Sequence, residues 1–165
     1  MRWVVFRPYW EGPNSIARKG LFPRAARDPG FLARERMEVH DGRLRQRPGP
    51  DNALGLVKFV FPNPFDVYLH DTPQKQYFTR VRRDFSHGWM RVSDAVALAE
   101  FVPGWNRERV LAAMTGGGNT RRVDVPENVD VYVLYTTATV ENDLVFFVED
   151  IYGHDARAGT RAGEP

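Results

Sequence analysis

Apolar residues in this chain gather in short runs broken by Pro, Gly and Asn. Trp3-Val4-Val5-Phe6 is the first run and reads as a strand, stopped by Pro8. Leu56 to Phe61 and Asp66 to His70 are β-rich runs separated by Pro62-Asn63-Pro64. Three further strand candidates follow at Arg121 to Val125, Val129 to Val140 and Leu144 to Val148. The last two are predicted to pair as a hairpin across Glu141-Asn142-Asp143. Helix signals are fewer. Asn14-Ser15 marks one start, and Asp28-Pro29 marks another with Pro at the first helical position. Ser93 is predicted to cap a helix from Asp94 to Phe101. Asn106 is predicted to cap a second through Met114, ended by Gly116-Gly117-Gly118.

Strands outnumber helices, and the two best helix candidates sit together. The pattern predicts a mainly β, α+β domain: a twisted β-sandwich with helical insertions. Residues 1–155 read as one domain. The remainder, 156–165, is small, charged and Gly-rich, and is expected to be a disordered tail.

At 165 residues, 42% hydrophobic and 13% aromatic, the chain has enough apolar material for one packed core. Its 23 basic and 21 acidic residues leave a formal charge of +2, which does not point to nucleic acid. Only Lys19, Lys58 and Lys75 are lysines. The cluster Arg80, Arg82 and Arg83 reads as a solvated charged face. There is no cysteine, so disulfides, thiol catalysis and cysteine-ligated metals are excluded. His40, His70, His87 and His154 lack any zinc-type spacing, and neither a metal nor a cofactor is expected. No apolar run reaches membrane-spanning length, and the run at Trp3 is too short for the core of a secretory signal.

The chemistry is concentrated in two segments. Tyr68-Leu69-His70-Asp71-Thr72-Pro73 comes first, and Ser86-His87-Gly88-Trp89-Met90-Arg91 follows, with fifteen residues between His70 and Ser86. The pair resembles the signature of the L,D-transpeptidase catalytic domain, the YkuD family. In that family a histidine precedes Ser/Thr-His-Gly-Cys, a hydrophobic residue, and Asn or Arg. Asn14-Ser15-Ile16 after Tyr9-Trp10, Asn52-Ala53-Leu54-Gly55, Lys58-Phe59, Phe61-Pro62-Asn63 and Asp150-Ile151-Tyr152 extend the likeness to the longer, Gram-negative branch. That branch usually has strands before its Tyr-Trp segment, so the domain is expected to lack its first strands here.

The resemblance implies acyl transfer on peptidoglycan stem peptides through a cysteine thioester, in the periplasm or cell envelope. It makes His70 the general base and gives His87 a part in shaping the site. Gly88 and the amide of residue 89 fall at the oxyanion hole, with Ser86, Arg91 and Tyr68 at the substrate. At the nucleophile position stands Trp89. Indole has one N–H donor and no lone pair suited to attack, so no thioester can form on it. Two readings follow. One is a transpeptidase-type domain, inactive as it stands, a pseudoenzyme. The other is a non-catalytic peptidoglycan-binding or scaffolding domain.

Overall fold

A computed structural model describes residues 1–85, 88–118 and 120–161, with backbone only for 158–161. The chain divides into two compact units, Met1–Val131 and Tyr132–Pro165. The first opens with β1 (Trp3–Phe6) and β2 (Trp10–Glu11). A helical stretch follows, made of α1 (Asn14–Ile16), a π-helical turn at Ala17–Leu21 and α2 (Phe22–Arg27). Next come α3 (Phe31–Arg34), β3 (Met37–His40), β4 (Arg43–Gln46), β5 (Val57–Val60) and β6 (Tyr68–His70). A 3-10 turn at Lys75–Thr79 leads to β7 (Met90–Arg91), α4 (Ala95–Phe101), α5 (Arg107–Thr115) and β8 (Arg121–Asp124).

One mixed sheet organises this unit, in the order β7-β6-β5-β1-β8. All its pairs are antiparallel except β6 with β7. Register sorts its side chains by face, because residues directly opposite one another project to the same side. Val4 lies opposite Phe59 and Val123, and Phe59 lies opposite Leu69, itself opposite Met90. Val4, Phe6, Val57 and Phe59 are completely buried on this side, against Ala95, Ala99 and Val102 from α4 and Val110 and Met114 from α5. Phe6 stacks flat on Trp105, with ring centroids 5.3 Å apart. The intervening row runs Arg122–Val5–Lys58–His70–Arg91 across all five strands. The opposite face of the sheet is therefore the polar one.

A smaller sheet, β2-β4-β3, closes through the tight turn Asp41-Gly42, with φ of 48° and 73°. Asp-Gly is a strong type I′ hairpin signal, so this hairpin is encoded in the local sequence. Glu38 sits between Arg45 and Arg47, at 2.6 and 2.5 Å, and this pairing holds its carboxyl below the usual range.

The second unit contains β9 (Ala138–Glu141) and β10 (Leu144–Phe147), antiparallel, with Asn142 and Asp143 both at positive φ in the turn. The predicted hairpin forms. Its first strand, expected over Val129 to Val140, is confined to Ala138–Glu141. Val129 and Val131 instead pack against the core of the first unit, and the Val129 amide donates to the Met1 carbonyl. Helix α6 (His154–Arg161) occupies part of the stretch predicted as a tail, and 162–165 lie outside the described residues.

Other boundaries shift for local reasons. The cap of α4 is Asp94 rather than Ser93: its carboxylate accepts from the Ala97 amide at 2.9 Å. Asn106 caps α5 as predicted. Pro29 precedes α3 rather than opening it, because the Asp28 carboxylate takes the Gly30 amide in a turn. The α+β expectation holds: one mixed sheet and two antiparallel ones stand with several helices, and no closed barrel forms among the described residues. Among the described residues no helix is long and apolar enough to cross a membrane.

Candidate active site

The site begins where β6 ends. Asp71, buried just beyond His70, ties three segments together. Its Oδ2 accepts from the Leu56 amide at 2.9 Å, at the start of β5. Its Oδ1 accepts from Lys75 Nζ at 2.7 Å. The same ammonium donates to the carbonyls of Val92 and Ser93, just after β7. A carboxylate at 7% exposure needs such partners, since leaving one buried unpaired is costly. The clasp is tight at Gly55, whose φ is +63° and where a Cβ would come within 2.4 Å of Asp71 Oδ2. Beside it, Asn52 is almost wholly buried and fastens the loop after β4. Its amide donates to the carbonyls of Pro8, Gln46 and Arg47, and its oxygen accepts from Leu54.

His70 is 3% exposed. Its Nδ1 lies 2.5 Å from the Asp71 carbonyl oxygen. A carbonyl only accepts, so Nδ1 carries the proton and Nε2 keeps the lone pair. Burial holds the imidazole pKa below its ordinary value; the Asp71 carbonyl opposes this and Arg91 adds to it. The ring is thus a fixed, neutral imidazole in the tautomer a general base requires.

Trp89 is half-buried and stacks on Tyr68, with centroids 5.2 Å apart and planes 23° from parallel. It joins a cluster with Trp10, Leu54 and Tyr68. Tyr68 also meets the edge of His70 at 6.1 Å, and burial raises the pKa of its phenol. A cavity of 120 Å³ is lined by His70, Trp89, Arg91, Phe85, Trp10 and Leu54 among others. Among the described residues Arg91 Nε is buried there without a hydrogen-bond partner, while its guanidinium lies 5.6 Å from the Tyr77 ring centroid. Trp89 also lines a second, larger cavity of 510 Å³ together with Lys58 and Tyr68. Gly88 is exposed at φ +116°, a backbone conformation that disfavours side chains.

Of the residues singled out in the sequence, His70, Trp89, Arg91 and Tyr68 therefore come together, and Gly88 directly precedes the indole. Ser86 and His87 lie outside the described residues. The sequence reading missed Asp71, Lys75 and Asn52 as supports. A carboxylate directly after His70 with a lysine four residues on was the available signal. Among the described residues no group of three or more His, Cys, Asp or Glu could hold a metal.

Comparison with known proteins bears on this arrangement. The sequence model of the YkuD family, described as the L,D-transpeptidase catalytic domain, matches residues 1–140. The chain belongs to the YkuD family. It is also 31% identical over 179 residues to a Haemophilus influenzae protein whose name assigns it L,D-transpeptidase activity by inference. That match covers 92% of this chain but 36% of the relative, so the chain spans about a third of that protein's length.

Proposed function

We propose that this YkuD domain carries a peptidoglycan-directed acyl-transfer site in which an indole stands in the nucleophile's place, so that the chain does not transpeptidate. The observation behind this reading is that His70 and Trp89 line the same small cavity, with a guanidinium nitrogen of Arg91 beside them that has no partner among the described residues. The substrate class is the stem peptide of peptidoglycan, and the working location is the cell envelope. His70 has the tautomer and neutrality to take a proton from an acid at residue 89. Gly88 and the amide of residue 89 are the backbone groups assigned to the oxyanion, and Ser86 and His87 complete the segment. Arg91 is assigned to a substrate carboxylate, because an open guanidinium donor favours an anionic partner. What is missing is a thiolate: indole carries no nucleophilic lone pair, and its ring fills space against Tyr68 and Leu54.

The test is intact-mass detection of a carbapenem acyl adduct. The unaltered chain is expected to form none, and Trp89→Cys is expected to form one. An adduct on the unaltered chain would overturn the inactivity. A well-folded Trp89→Cys protein that never acylates would remove the site assignment.

A second reading is favoured by the packing of Trp89. The indole that lines the site is also packed in an aromatic cluster with Trp10 and Tyr68, which suits a domain that binds peptidoglycan without reacting. Sedimentation with purified sacculi tests it, and absence of the protein from the pellet rejects it.

A further inference from the structure

Trp105 carries two arginines on one ring. The indole is itself fixed by Phe6, which stacks on it with planes 1° from parallel. The guanidinium carbon of Arg109 stands 3.9 Å from the Trp105 ring centroid, and that of Arg121 stands 5.2 Å from it. Arg109 comes from α5 and Arg121 opens β8, so two separate elements deliver the pair. In register Arg121 lies opposite Phe6, which places it on the helix-covered side of the sheet. The row of Lys58, His70 and Arg91 belongs to the other side. Acyl transfer at residue 89 therefore does not account for these two cations.

Their neighbours in the chain are neutralised. Arg107 pairs with Glu100 at 3.3 Å, and Arg122 pairs with Asp124 at 2.8 Å. Arg109 and Arg121 are both exposed. Among the described residues they have no carboxylate within ion-pair distance and no side-chain hydrogen bond; their contacts are with the ring. A ring answers the charge of a guanidinium but offers no oxygen, so the N–H fork of each remains available to an oxyanion. Two like charges gathered on one ring also repel, and an anion between them removes that cost.

We propose that Arg109 and Arg121, held on the Trp105 indole, bind a phosphoryl group. The chemistry is that of a pyrophosphate or phosphate ester, either in solution or on a lipid headgroup. A phosphate presents its charge on several oxygens, which two forks can share; a carboxylate offers fewer oxygens and less charge. The Phe6–Trp105 stack holds the platform in place, which limits the ordering that binding requires. Nothing in this site depends on the reading of residue 89.

Titration of the full chain with sodium pyrophosphate tests the site, followed by calorimetry and by the indole N–H resonance of Trp105. Sodium acetate at equal ionic strength is the comparison. Expected is a saturable shift of that resonance, with pyrophosphate bound about tenfold or more tighter than acetate. The double variant Arg109→Gln, Arg121→Gln is expected to weaken pyrophosphate by about tenfold or more. Arg24→Gln, Arg27→Gln removes the same charge from α2 and is expected to leave binding unchanged. Given pyrophosphate binding, co-sedimentation with phosphatidylglycerol vesicles separates the two sources. Vesicle binding that the Arg109, Arg121 variant loses assigns a lipid headgroup, and no vesicle binding assigns a soluble phosphate. Should that variant fail to fold, the Trp105 resonance of the unaltered protein decides instead. A resonance that does not move, acetate bound as tightly as pyrophosphate, or equal pyrophosphate affinity in the two folded double variants would each overturn the proposal.

Discussion

The two faces of the five-stranded sheet come from the same strands in alternate residues, and they differ in kind. On one face, Val4, Phe6, Val57 and Phe59 are sealed beneath α4 and α5 with no polar partner to satisfy. On the other, Lys58, His70 and Arg91 share a row; the His70 ring is held by the Asp71 carbonyl, and the Asp71–Lys75 clasp fixes the end of β6 next to it. Non-directional packing secures the first face. The second relies on directional contacts, each depending on a specific partner. Register links them: a slip of one residue in β5 would exchange Lys58 for Phe59 and lose core and site together.

This contrast can be broken at its strongest point first. Phe59→Ala leaves a cavity under the helices and is expected to cost about 3–5 kcal/mol, read from urea unfolding. A loss well under 1 kcal/mol would mean that this face is not the packed one. Asp71→Ala strands the Leu56 amide and frees Lys75. It is expected to cost about 2–4 kcal/mol, with Lys75→Met costing less because that side chain is nearly half exposed. Equal costs for the two would argue against a clasp centred on the carboxylate. Gly55→Ala forces a Cβ toward Asp71 at a positive φ and is expected to cost about 1–3 kcal/mol. Full stability in that variant would contradict the close approach.

The smallest effect concerns protons. Because the pKa of His70 is lower when folded than its ordinary 6.5, the unfolded chain binds the proton more readily. Stability should therefore fall as pH drops through and below about 6.5 and be fully present above it. His70→Gln should flatten that part of the stability curve, and a slope unchanged by the substitution would place the titration elsewhere.

Much of this division was legible beforehand, and the rest was not for identifiable reasons. Tyr68-Leu69-His70 and the segment from Ser86 to Arg91 named the family because their order and spacing are distinctive. The caps at Asn106 and the turn at Asn142-Asp143 were legible because their chemistry is local. Which face of Val57–Val60 would be covered was not, since Lys58 and Phe59 alternate and only the positions of α4 and α5 settle it. The long strand expected from Val129 failed for the same reason: β propensity was present, but Val129 and Val131 found partners in the core outside any ladder. Asp71 looked like part of a motif, and its role emerged only once Leu56 and Lys75 were seen on its two oxygens.

The most direct measurement is the rate of carbapenem acylation, by intact mass, of Trp89→Cys with and without His70→Gln. If the polar face is one acyl-transfer site, removing the imidazole should slow acylation by about 10²–10⁴-fold. Equal rates in the two proteins would contradict a site built from His70 and residue 89.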